Sequence, residues 1–219
     1  MYCDYRIATT SKKTVLGLPE VKLGLMPGMA GTYHLPKLIG YREAFDAMLT
    51  GKNIRADKAK KLGLVDLVVD PDALEKVAID QAKLLAQKKL KPSVRNRSYT
   101  DWFLESNPIG RYLLFNEVKK SVEKGAKGKY PAPYAIYDVI KDNVGKSKST
   151  HLADEADKFA KLAQTPESEA LIGLFLGMSA VKKHGYGSPA HPIANIAVLG
   201  AGLMGAGITQ VSAENGMPG

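Results

Sequence analysis

Residues 193–219, IANIAVLGAGLMGAGITQVSAENGMPG, constrain the fold more than any other stretch of the chain. IANIAVL is long and apolar enough for a strand buried on both faces. It runs into Gly200-x-Gly202-x-x-Gly205 and then into a helical pattern. In this spacing Gly200 permits a tight turn, Gly202 lets the backbone approach a pyrophosphate, and Gly205 lets the helix pack on the strand. The amides of Leu203 and Met204 then lie at a helix N-terminus, where the dipole favours an anion. Gly200, Gly202, Leu203, Met204 and Gly205 are therefore the candidate cofactor-binding residues; a glycine turn used only for packing is the alternative. One strand and one helix do not make a domain, because their apolar faces need neighbouring strands and a covering layer. The expectation is the first βα unit of a Rossmann domain, too incomplete within these residues to bind a dinucleotide tightly. The acidic residue that distinguishes NAD from NADP is expected about twenty positions further on, so that preference is not legible.

Composition narrows the classes. No apolar run is long enough to cross a bilayer, and MYCDYRIATTSKK lacks the basic head and hydrophobic middle of a signal peptide. The single cysteine, Cys3, excludes an internal disulfide and is read as a small buried hydrophobe rather than a nucleophile. His34, His151, His184 and His191 show no metal-ligand spacing, and no metal site is expected. The net charge of +9 comes mostly from lysines scattered along helical runs such as KVAIDQAKLLAQKKLK. That scatter favours a solvated face over a nucleic-acid site; contact with a phosphate-rich cofactor or an acidic membrane surface is the remaining reading.

Three segments differ in texture. In residues 1–92, DYRIATT and KTVLGL read as strands, REAFDAMLTG as a helix with a glycine stop, and IRADKAKKLGLVDLVVD as helix, Gly63, strand. Asp70 is placed to cap the next helix, ALEKVAIDQAKLLAQKK. This alternation argues for an α/β class. In residues 93–192 the strands give way to helices interrupted at Pro108 and Gly110. KYPAPYAIYDVIKDNVGK has two prolines ahead of a helix, and Thr165-Pro166-Glu167 makes a strong helix start. The helix that follows is apolar on nearly every side, so burial is expected, with a stop at Gly185; GYGSPAHP reads as a linker. Residues 193–219 form the third segment.

Within the first segment, LGLPEVKLGLMPGMAGTYHLPKLIG resembles the crotonase (enoyl-CoA hydratase/isomerase) superfamily. Its members carry Pro-Glu after a strand, then Leu-Gly-x-x-Pro-Gly-x-Gly-Gly-Thr and a helix. CDYRIAT and LTGKNIRADKAKKLGLVDLVV match two further family stretches in the expected order. With YPAP and VLGAGLMGAGI following, the whole chain resembles the centre of the multifunctional fatty-acid oxidation enzymes of the mitochondrial alpha-subunit type, which join a hydratase to a 3-hydroxyacyl-CoA dehydrogenase. The fold implied is the C-terminal part of a crotonase-like domain, a helical region and linker, and the start of a Rossmann domain.

Hydrating a 2-enoyl thioester needs a base on water, an acid at the α-carbon and donors for the charge growing on the thioester oxygen. By the resemblance, Glu20 matches one catalytic glutamate, expected to exchange a proton with substrate. Gly28 matches the glycine whose amide helps hold the reacting water. The second glutamate and the oxyanion amides would lie before Met1, so negligible hydration is expected of these residues alone, and the chain is expected to be an internal segment of a longer protein. Ala30 stands where the family has glycine, which tests whether the turn needs a positive φ. His34 stands in place of an arginine, read as drift on a helix flank or, alternatively, as the loss of an ion pair. The resemblance further implies coenzyme A thioesters as substrate, NAD as cofactor and a thiolase beta subunit as partner. Peripheral membrane association and a mitochondrial location are also implied, or a cytoplasmic location if the source is bacterial. A non-catalytic docking scaffold for a thiolase or a membrane is the alternative, as is another CoA-thioester reaction such as double-bond isomerisation.

Overall fold

The computed structural model describes residues 1–90, 99–183 and 194–217. They fall into two compact units, Met1–Gly177 and Met178–Gly219.

In the first unit, β1 (Ile7–Thr9) pairs in parallel with β4 (Leu67–Val69), Ile7 opposite Leu67, and β2 (Val15–Leu16) pairs antiparallel with β3 (Ile54–Arg55). The expected strands DYRIATT and KTVLGL shorten to these few residues, because only those positions find a ladder partner. Arg6 secures the parallel pair. Its backbone N–H and its guanidinium both donate to the buried Asp66 carboxylate, at 2.8 Å and 3.0 Å.

Helices fill the rest of the unit. α1 (Gly31–Ile39) and α2 (Tyr41–Thr50) are followed by α3 (Ala56–Leu62). Asp70 accepts the Asp72 amide at 3.0 Å and so caps a 3-10 turn that leads into α4 (Leu74–Ala86). Beyond it lie α5 (Tyr99–Ser106) and α6 (Pro108–Ala126), separated at Asn107, whose side chain accepts the Gly110 amide at 2.7 Å. α7 (Pro131–Asp142) starts on its prolines. α8 (Lys148–Ala163), which the sequence reading does not assign, is capped by Ser147. α9 (Pro166–Lys183) starts as expected, with Thr165 accepting the Ser168 amide at 3.2 Å.

One core joins early and late elements. Ile39 of α1, Phe45 and Met48 of α2, and Ile136, Val139 and Ile140 of α7 are fully buried. Phe115 of α6 meets Phe45 edge-on at 5.4 Å between ring centroids, and Leu162 of α8 joins them. Burying one such side chain stabilises by about 1.5–3 kcal/mol. Helices α6, α7 and α8 are therefore packed on α1 and α2, and the compact unit runs on to Gly177.

Three expectations are corrected. Cys3 is exposed, because β1 begins only at Ile7 and the preceding residues form bends at the surface. α9 is not buried: Ser168 packs, but Leu174 and Leu176 are 60% and 59% exposed. An all-round apolar pattern specifies faces that want cover without supplying the cover. Residues 194–200 form no strand, since a ladder needs a second strand and the described residues of the second unit hold none. The helix after the glycine motif does form, as α10 (Leu203–Glu214). The linker GYGSPAHP, the stop at Gly185, His184, His191 and the boundary at 92/93 lie outside the described residues.

Candidate active site

Pro19 opens a single 3-10 turn, Glu20–Leu23, closed by the Lys22 amide on the Pro19 carbonyl at 2.9 Å and the Leu25 amide on the Glu20 carbonyl at 3.1 Å. Glu20 is half-buried, and its Oε2 is buried with no hydrogen-bond partner among the described residues. Burial pushes the Glu20 carboxyl above the usual carboxylate range, opposed by a backbone hydrogen bond. An unsatisfied buried acceptor costs about 1–3 kcal/mol, and a catalytic role is one way in which such a group is accounted for.

Gly24 follows in the left-handed region, φ +69°. A Cβ on Gly24 would stand 2.8 Å from Ser168 Cα, and Ser168 Oγ donates to the Leu23 carbonyl at 3.1 Å. The start of α9 therefore lies directly against the motif, and the glycine is required both by φ and by space.

The chain then passes buried Met26 and Pro27 to Gly28. The Gly28 carbonyl accepts the Gly31 amide at 2.9 Å, while the Gly28 amide donates to nothing among the described residues. Glu20 and Gly28 thus sit on one continuous segment ahead of α1, with Gly28 partly exposed.

Between Gly28 and α1 the backbone is strained. Met29 and Ala30 are both left-handed, at φ 50° and 62°. The test that Ala30 poses is answered: the turn takes a positive φ there, and alanine accepts it at about 1–2 kcal/mol. The opposing force comes from α8. Glu155, 3% exposed, accepts the Ala30 amide at 2.7 Å and the Thr32 amide at 3.1 Å, and also takes the Thr32 hydroxyl proton. Hydrogen bonds to a charged acceptor are worth about 1.5–3 kcal/mol each, and a carboxylate at a helix N-terminus adds a favourable dipole interaction. Thr32 Oγ1 lies 2.9 Å from His151 Nε2. The single hydroxyl proton goes to Glu155, so His151 Nε2 carries the proton in this contact. Burial holds the His151 imidazole below its ordinary range, partly offset by Asp154, which keeps it neutral near pH 7. Thr32, His151 and Glu155 escaped the sequence reading. The available signal was the i,i+4 spacing of His151 and Glu155, which puts both on one helix face.

His34 makes no ion pair among the described residues. Its ring meets Tyr2 at 4.6 Å and Tyr33 at 5.1 Å between centroids, and its Nε2 is buried without a partner among the described residues.

The glycine motif of the second unit has its own geometry. Gly200 has φ +114°, and Gly202 caps α10 in an extended conformation. A Cβ on Gly205 would fall 1.7 Å from the Gly200 carbonyl oxygen, so the helix and the turn meet at a distance only glycine allows. Ile196, Ala197 and Val198 face Thr209, Ser212 and Ala213 of α10 across a small cavity. Leu203 and Met204, at the helix start, are 93% and 76% exposed.

Residues 1–98 match the enoyl-CoA hydratase/isomerase family. Over 212 residues the chain is 46% identical to a fatty acid oxidation complex subunit alpha from Aliivibrio fischeri, a similarity that covers 96% of this chain and 30% of that protein. The chain thus spans about a third of the length of that relative. Among solved structures, an enoyl-CoA hydratase/isomerase from Pseudoalteromonas atlantica T6c shares the fold with a TM-score of 0.50 at 24% identity, covering 80% of this chain and 54% of the other.

Proposed function

Because residues 1–98 match the enoyl-CoA hydratase/isomerase family and nearly the whole chain is similar to part of a fatty acid oxidation complex alpha subunit, we propose that this chain supplies half of a 2-enoyl-CoA hydratase site for fatty-acid β-oxidation. Glu20 exchanges the proton at the substrate α-carbon and the Gly28 amide holds the reacting water. The observation that carries this reading is the buried, unpartnered Glu20 Oε2 with its raised pKa. A carboxyl whose pKa is raised by burial holds a proton more readily than a solvated one, which suits a group that exchanges a proton with substrate. Coenzyme A thioesters are the substrate class, and hydration needs a second acid/base group and oxyanion donors besides Glu20 and Gly28.

In the second unit a pyrophosphate would sit at the turn of Gly200, Gly202 and Gly205, on the amides of Leu203, Met204 and Gly205 at the start of α10; the Gly202 cap and the close approach of Gly205 to the Gly200 carbonyl support this reading. NAD is the cofactor of the dehydrogenase half that this unit would begin, and it would supply the hydride acceptor. A thiolase subunit as partner, peripheral membrane contact and a mitochondrial or bacterial cytoplasmic setting belong to the same reading.

The test uses the intact protein that carries this sequence. Glu20→Gln lowers kcat for 2-enoyl-CoA hydration by about 10²–10⁴, with no fall in Tm. Hydration by the Glu20→Gln protein at the parent rate removes Glu20 from the mechanism.

A further inference from the structure

The proposed site lies in the stretch that matches the hydratase family, yet the strained turn within it is held from outside that stretch. Glu155 is on α8, 125 residues along the chain from Ala30. Its two carboxylate oxygens meet three donors: the Ala30 amide, the Thr32 amide and the Thr32 hydroxyl. His151, one helical turn earlier, closes the arrangement on the same hydroxyl. Thr32 is wholly buried, and Glu155 and His151 are 3% and 5% exposed, so none of the three is offered to a substrate. What they do touch is the turn immediately after Gly28.

We propose that Glu155 is a positioning residue for the hydration site, tethering the left-handed Met29–Ala30 turn to α8 so that the Gly28 amide keeps its aim. This rests on the hydratase reading above. An untethered turn has an inexpensive way to relax, by returning Met29 and Ala30 to negative φ. That movement turns the Gly28–Met29 peptide plane against α1, and with α1 packed in place the segment ahead of it, including the Gly28 N–H, must shift. Two amides held on one carboxylate block it. Thr32 and His151 fix the orientation of that carboxylate in turn, Thr32 by donating its proton and His151 by occupying the hydroxyl lone pair. Helices beyond the family-matched residues therefore take part in shaping the site, which gives a physical reason for α8 to be packed where it is.

Glutamine at 155 keeps the size but replaces one acceptor oxygen with a donor, so one of the three donors loses its partner. In the intact protein, Glu155→Gln is expected to lower hydration kcat by about 10–100-fold while KM changes less than about threefold. Amide exchange of Ala30 and Thr32 rises at least about tenfold, with Ile136–Ile140 of α7 unchanged. Ala30→Gly placed on top of Glu155→Gln removes the cost of the left-handed conformation and returns most of the lost kcat. A purely structural role would instead give a lowered Tm, faster exchange throughout the core and no recovery with Ala30→Gly. That result, or an unchanged kcat, overturns the proposal. Absence of hydration by the parent protein defeats the hydratase reading itself. In that case the exchange pattern of Ala30 and Thr32 alone decides whether Glu155 tethers the turn, and exchange equal to the parent's shows that it does not.

Discussion

Two glycine-bearing turns, each leading into a helix, are held in opposite ways. The turn from Gly24 to Gly31 is gripped by elements far along the chain: the start of α9 presses on Gly24, and Glu155 of α8 binds Ala30 and Thr32. The turn from Gly200 to Gly205 is shaped locally, by the contact of Gly205 with the Gly200 carbonyl. Around it Leu199 and Leu203 are 99% and 93% exposed, and Ile208 and Val211 about half. The comparison separates two requirements that a motif alone conflates. Glycine spacing is enough to give the shape of a turn; rigidity comes from distant residues that close over it.

The largest expected effect follows from that contrast. In this 219-residue chain, amides of Ile136–Ile140 in α7 open only with much of the first unit, whereas those of α10 open with little apolar burial to oppose them. Hydrogen exchange followed by mass spectrometry should show α10 exchanging about three or more orders of magnitude faster than α7. Comparable protection in both would abolish the distinction drawn here.

Single alanines sharpen it further. Gly24→Ala carries both the left-handed strain and the clash with Ser168, and is expected to destabilise the first unit by about 2–4 kcal/mol. Gly202→Ala adds a methyl where no atom lies within 4 Å, at φ −73°, and should shift stability by less than about 0.5 kcal/mol. Urea unfolding of the two variants measures both; equal effects would mean that the grip on Gly24 is not where the energy lies.

Much of this was legible because it is local. The caps at Asp70 and Thr165, the stop at Gly63 and the helix after Gly202 all form as the residue types demand. Glu20 and Gly28 were singled out through the order of motifs, and the question that Ala30 raised is answered by its positive φ. What escaped is what depends on residues far apart. α8 was overlooked although Ser147 caps it and the pairs Asp154–Lys158 and Asp157–Lys161 bridge successive turns. No spacing in the sequence says that Glu155 reaches Ala30. The burial expected of α9 and of residues 194–200 failed for the converse reason: apolar pattern reports a demand for partners, and the supply of partners is a property of the fold. Cys3 was misplaced because its neighbours read as a strand that begins only at Ile7.

The smallest expected effect concerns pH, and the two buried groups of the first unit work in opposite directions. Burial raises the Glu20 pKa above 4.5, so the folded state holds a proton there more tightly than the unfolded chain. The stability this provides is complete below pH 4.5 and is lost as pH rises through the folded-state value. Glu20→Gln removes that loss, so its Tm should exceed the parent's near pH 7 by about 1–3 °C, with the advantage fading toward pH 4.5. Burial lowers the His151 pKa below 6.5, so the unfolded chain binds the proton more tightly. The stability associated with neutral His151 is present above pH 6.5 and is lost as pH falls through the folded-state value. His151→Gln keeps a donor for Thr32 without a titrating ring, and its Tm should fall less than the parent's between pH 6.5 and 5. Thermal melts of the three proteins across pH 4.5–8 distinguish the two slopes. If Glu20→Gln melts below the parent at pH 7, then Glu20 is satisfied in the folded state, and the first turn has no stored cost to set against the second.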